Sequence, residues 1–210
     1  MKIDLVEYIS SRTPQPFFQA VTERLEAAYA QAHQHAETFA AKSKARALGQ
    51  LRHYRQNDAF ISAGETVGQM AIAKSTFPKG EYYSLVAAQD IRFGRIAIPF
   101  NNKIARPAKH RLAIAAVNAR LEPQNCDLFS PFADAVTDGL GCLVVTVNPA
   151  RGEPQSVPAS IMVGVPYTNL KGWHLLEPVS HILAAYNPAQ EIAVKDIAWA
   201  KLKRQLGEKE

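Results

Sequence analysis

Apolar residues recur at helical spacing early in the chain and at strand spacing later. Phe17, Phe18, Val21, Leu25, Ala28 and Tyr29 fall on one side of a 3.6-residue period that runs from about residue 16 to about 40. Thr13 is an N-cap residue and Pro14 a first helical residue, after the turn-rich Ser10–Ser11–Arg12–Thr13–Pro14 stretch. Residues 42–57 continue as helix, with Ala40, Ala47, Leu51 and Tyr54 as an apolar seam and Lys42, Arg46 and His53 roughly opposite. Residues 60–72 read as a third helix, broken by Pro78 and Gly80.

Beyond Gly80 the period shortens. Residues 82–87 and 93–100 read as paired strands joined through Gln89, Asp90 and Ile91. Residues 107–121 have a wide helical apolar face, and residues 131–136 read as a helical turn. Residues 140–147 and 160–165 have the length and composition of buried strands. Glu177–Pro178 reads as the start of a helix to Tyr186, and a last helix starts near Asp196, carrying Trp199, Leu202 and Leu206 on one side.

Helices followed by strands at hairpin spacing predict an α+β fold: an N-terminal helical region, then a small, mostly antiparallel sheet with packed helices. The 210 residues are read as a single domain, with a helical lobe over about 1–75, an α+β core over about 76–187 and a C-terminal helix over about 188–210.

Composition adds little to this picture, since 47% hydrophobic and 20% charged residues are ordinary for a globular protein. No segment has the length and apolarity of a signal peptide or a membrane span, so a cytoplasmic setting is expected. Two cysteines, Cys126 and Cys142, make no disulfide framework and are read as reduced and buried.

Charge changes the picture more. Net charge is +5, and half of the 24 lysines and arginines fall in two acid-free windows. One, between Glu37 and Asp58, holds Lys42, Lys44, Arg46, Arg52, His53 and Arg55; the other, between Asp90 and Glu122, holds Arg92, Arg95, Lys103, Arg106, Lys109, His110, Arg111 and Arg120. Clustered positive charge points to a polyanionic partner. Lys109, His110 and Arg111 also fall in the first turn of a helix, where the macrodipole disfavours cations and an external anion offsets them.

The leading expectation is a nucleic-acid-binding or nucleic-acid-processing protein of prokaryotic type, RNA ahead of DNA. Lys42, Arg46, Arg52, Lys103, Arg106, Lys109 and Arg111 are its phosphate contacts. In the catalytic version, a metal-independent ribonuclease, His110 is the general base, with Arg106 and Arg111 stabilising the phosphorane. One alternative is a protein–protein interaction or assembly module, docking through its helices and compatible with a homo-oligomer. The other is an enzyme acting on a small anionic metabolite, with the helix near Pro107 as its anion site.

No cofactor or metal site is expected. His33 and His35 point apart on a helix, and the spacing of His174, Glu177 and His181 is interrupted by Pro178. Glu122, Asp127, Asp134 and Asp138 are read as neutralising the basic stretch before them rather than holding Mg²⁺. Asp138–Gly139–Leu140–Gly141 precedes a strand, the reverse of a phosphate loop, and Ser130 lacks the glycines of a nucleophile elbow.

Overall fold

The computed structural model describes residues 4–76, 80–122 and 139–187. Cys126, Ser130, Asp127, Asp134 and Asp138, the helical turn at 131–136 and the final helix with Trp199 lie outside them. The fold is α+β, as the periodicity predicts: N-terminal helices followed by a six-stranded, mostly antiparallel sheet.

Three helices come first: α1 (Leu5–Arg12), α2 (Gln15–Ala36) and α3 (Ala41–Thr66). Helix α1 was not expected; Asp4 caps it, its side chain accepting from the amides of Val6 and Glu7. The break at Thr13 and Pro14 is where expected, with Pro14 rather than Thr13 in the capping position of α2. Helix α3 absorbs two predicted helices and ends at Thr66. Residues 70–72, expected to be helical, instead open strand β1 (Met70–Ser75), after a turn through Gly68 at φ +71°.

The strands lie in sequence order across the sheet: β1, β2 (Tyr82–Ala88), β3 (Ile91–Ile98), β4 (Leu140–Val147), β5 (Ser160–Pro166) and β6 (Trp173–Pro178). The β2–β3 hairpin turns at Gln89 and Asp90, as expected, with Gln89 at φ 50°. Among the described strands only β3 and β4 run parallel. Their connection carries α4 (Lys109–Ala116) and a 3₁₀ turn (Val117–Leu121). A crossover of this kind is what a parallel pair requires. Glu177–Pro178 ends β6 and, as expected, leads into a helix, α5 (Val179–Ala184), with Pro178 in its capping position.

Alternation along the strands divides the interior into two cores. Val86, Phe93, Cys142, Val144 and Val163 face the N-terminal helices and pack with Phe17, Phe18, Leu25 and Phe60. Phe17, Phe18 and Phe93 meet with ring centroids 5.2–5.9 Å apart, in tilted or edge-on geometry. On the other face Ile96, Ile98, Leu143 and Val145 pack under Ile114 and Ala115 of α4. That helix lies hard on the sheet because Gly94 and Gly141 present no side chain: a Cβ on Gly141 would stand 2.0 Å from the Ile114 carbonyl oxygen. Asn118 fastens the same point, its amide bonding both the N–H and the carbonyl of Gly141. These contacts seat α4 and the 3₁₀ turn on β3 and β4.

Candidate anion site in a fork of the sheet

Strands β2 and β3 pair only over Leu85↔Gly94 to Ala88↔Ile91. Beyond that each keeps its other neighbour: β2 pairs with β1 as far as Tyr82↔Ser75, and β3 with β4 as far as Ile98↔Val147. The sheet therefore forks between Tyr82–Tyr83–Ser84 and Arg95–Ile96–Ala97. A cleft of about 340 Å³ occupies the fork, with α3 on one side supplying Arg52, His53, Gln56 and Asn57, and α4 on the other supplying His110 and Arg111.

Arg95 anchors the site. Period two puts it in phase with Ile91 and Phe93, toward the helices, and it is only 7% exposed. Its guanidinium donates to Asn57 Oδ1 at 2.9 Å, to Gln56 Oε1 at 2.9 Å, and more distantly to the His53 carbonyl and Nδ1 at 3.5 and 3.4 Å. All of these acceptors are neutral. Among the described residues no carboxylate meets Arg95, and burial pulls its pKa down to about 10. A buried charge without a counter-charge is costly, so this arrangement favours an anion beside it.

Two more guanidiniums face the same cleft. Arg52 lies 4.0 Å over the Tyr29 ring and donates to the carbonyl and side-chain oxygens of Gln155. Tyr29 in turn donates to Asn148 Oδ1 at 3.0 Å. Arg111 donates to the Arg106 carbonyl at 2.8 Å. Burial, and secondly the Arg106 charge, lower the Arg111 pKa. Three buried donors of cleft-lining side chains have no protein acceptor: Arg52 Nε, Gln56 Nε2 and Arg111 Nε. Every one is an N–H, the complement of an anion's oxygens. Glu81 is the one carboxylate among the described lining residues, against three guanidiniums.

Both cleft histidines are held neutral. His110 stacks on Tyr83, ring centroids 4.3 Å apart and 12° from parallel. Burial, then Arg111, then His53 push its pKa down to about 4. Burial and Arg95 also lower the pKa of His53, while Glu81, 3.7 Å from Nε2, opposes the shift. The His53 ring lies between donors at both nitrogens, Arg95 at 3.4 Å from Nδ1 and Asn57 Nδ2 at 3.3 Å from Nε2.

The two acid-free windows thus meet in space, through residues only partly those expected. Arg52, His110 and Arg111 line the cleft as candidates. Arg106 is exposed and touches the site through its carbonyl and its charge on Arg111. Lys103 and Lys109 are exposed and do not line it, the Lys103 carbonyl accepting from Trp173 Nε1. Lys42 and Arg46 stand exposed on the first turns of α3, short of the cleft. Two orientations are corrected: His53 points into the site rather than outward, and Tyr54 is 47% exposed rather than buried in a seam. Arg95 was passed over as a site residue. Its signal was its phase, an arginine in register with the buried Ile91 and Phe93.

Among the described residues no group of three His, Cys, Asp or Glu side chains is placed to hold a metal. His174 lies 3.9 Å from Glu122, whose carboxylate accepts from Thr168, while His181 and Glu177 pair at 2.9 Å elsewhere. Cys142 is free and buried, its thiol pKa raised by burial and so unsuited to nucleophilic work. No helix among the described residues is long and apolar enough to cross a membrane. No family model, curated protein or solved structure matches the chain.

Proposed function

We propose that this chain binds a phosphate-bearing ligand, with the anion seated in the fork between β2 and β3. The observation that carries the reading is Arg95, a buried guanidinium whose acceptors are all neutral. Arg52 and Arg111 bring two further charges, and among the described lining residues Glu81 is the one carboxylate that offsets them. A dianionic phosphoryl group matches that excess better than a single carboxylate does. The cleft's volume, about 340 Å³, suits a small ligand or one unit of a polymer, not a duplex laid across the surface.

This reading keeps the expected phosphate chemistry, with Arg52 and Arg111 from the expected set, and moves its centre to the buried Arg95. It favours binding over strand cleavage. His110, neutral beside Arg111, has the form of a proton acceptor, but His53 is also neutral, so the cleft holds no preformed imidazolium to protonate a leaving oxygen.

Thermal melting with inorganic phosphate or sulfate tests it. Ligand at a hundred times Kd stabilises by about 2.7 kcal/mol, a shift of several degrees. Arg95→Met and, separately, the less buried Arg111→Met should each weaken binding by about 2 kcal/mol, roughly 30-fold in Kd. A melting curve indifferent to either anion in the parent protein overturns the reading.

A further inference from the structure

The cleft changes character from its floor to its mouth. The floor is cationic, formed by buried Arg95 and Gln56 with part-buried Arg52 beside them. At the mouth Tyr82 is 63% exposed and Glu81 follows the turn into β2. Tyr54, across from them on α3, donates to Glu81 Oε1 at 3.4 Å. Tyr82 and Ser84 share the face of β2 toward α3, and the Tyr82 carbonyl is held by Asn57 Nδ2, so the strand that presents the ring is fixed to the helix that frames the anion site. A phosphate ion fills a small part of 340 Å³.

From this arrangement we infer that the ligand is a nucleoside phosphate, its phosphate on the guanidinium floor, its sugar or base donors on Glu81 and its base against the Tyr82 ring. The inference rests on the anion site proposed above and adds the identity of what the anion is attached to. Each part of the mouth answers a part of the ligand. A carboxylate lining the same cleft repels a second anionic group and accepts from hydroxyl or amino donors. An exposed aromatic face at the rim stacks on any base with little sequence preference. A sugar phosphate would use Glu81 and leave Tyr82 without a function in binding. The same chemistry is carried by a free mononucleotide and by the terminal nucleotide of a single strand, for which exposed Lys42 and Arg46 on the same helix α3 offer further phosphate contacts.

Isothermal titration of the full chain with inorganic phosphate, ribose 5-phosphate, and the 3′- and 5′-monophosphates of adenosine and uridine separates the outcomes. At least one nucleoside monophosphate should bind about tenfold or more tighter than ribose 5-phosphate. Tyr82→Ala, a change at an exposed position, should abolish that advantage and leave phosphate affinity unchanged. Nucleotides no tighter than ribose 5-phosphate, or an advantage that survives in Tyr82→Ala, overturn the inference while the anion site stands. If phosphate itself fails to bind, the underlying site falls instead. A terminally phosphorylated oligoribonucleotide binding tighter than the mononucleotide, with the gain lost in Lys42→Ala/Arg46→Ala, assigns the ligand to a strand end; equal affinity assigns it to the free nucleotide.

Discussion

The two ends of the β2–β3 pair are built on opposite principles. At the hairpin end, Val86, Ala88, Ile91 and Phe93 are almost fully buried, the strands are paired, and aromatic rings from α2 close over them. At the other end the same two strands part, and the same face of β3 carries Arg95 where the hairpin end carries Phe93. Two residues along one strand separate a position that stabilises the fold from one that is held in place at a cost to it. The closed end makes the open end affordable: α3 is seated by close contact, with Gly64 allowing the helix to approach Val86, and its continuation carries His53, Gln56 and Asn57 to the fork.

Replacing each residue in turn should break the symmetry of that comparison. Phe93→Ala removes a buried ring from the centre of the aromatic cluster and should cost about 3–5 kcal/mol of unfolding free energy. Its phosphate Kd, measured where the variant is still folded, should stay near the parent value. Arg95→Met should do the reverse. Exchanging a buried charge for an apolar group of similar length is often neutral or stabilising. The urea midpoint should hold or rise while anion affinity falls. If Arg95→Met unfolds as readily as Phe93→Ala, Arg95 is a structural residue and the division between the two ends is wrong.

The next effect is smaller and depends on pH. His110 and His53 are both neutral because burial and neighbouring guanidiniums depress their pKa values. A histidine with a folded pKa near 4 against about 6.5 unfolded contributes stability that is complete above 6.5 and is lost as pH falls from 6.5 toward 4. A bound dianion reverses the local field and raises both values, so binding takes up protons. Affinity for sulfate, which does not itself titrate in this range, should therefore tighten as pH falls from about 7.5 to 5.5, by at most about tenfold per unit for each proton taken up. His110→Asn should flatten the profile. A sulfate Kd independent of pH would place the anion away from the histidines.

The fold was open to sequence reasoning because its signals are local. The switch from a 3.6 period at Phe17–Tyr29 to alternation at residues 93–98 announces helices and then strands, and Gln89–Asp90 announces the hairpin. The cationic first turn of α4 was equally readable, since Lys109, His110 and Arg111 stand where the helix dipole disfavours them. The fork was not readable. Nothing in residues 82–84 or 95–97 states that their backbones pair with β1 and β4 but not with each other, because strand pairing is settled by the helices packed on both faces. The same holds for His53, whose helical phase matches the exposed Lys42 and Arg46; only the splayed strands beneath α3 turn it into a lining residue. Exposed charge counts drew attention to Lys103 and Arg106, whereas the informative cation was the one whose phase buried it.

The smallest effect concerns how Arg52 is aimed. Its guanidinium lies between the Tyr29 ring and the oxygens of Gln155, while the Tyr29 hydroxyl reaches Asn148, another lining residue. Tyr29→Phe keeps the ring and removes the hydroxyl, leaving Asn148 Oδ1 without its donor. About 1 kcal/mol of stability should be lost, the usual net value of one hydrogen bond, read as a shift in the urea midpoint. Phosphate affinity should stay within about twofold, because the ring under the guanidinium and both Gln155 acceptors remain. A larger loss of affinity would mean that the Asn148 end of the chain of contacts, not the aromatic face, sets the position of Arg52. The open end of the β2–β3 pair would then depend on the β4–β5 connection as much as on α3.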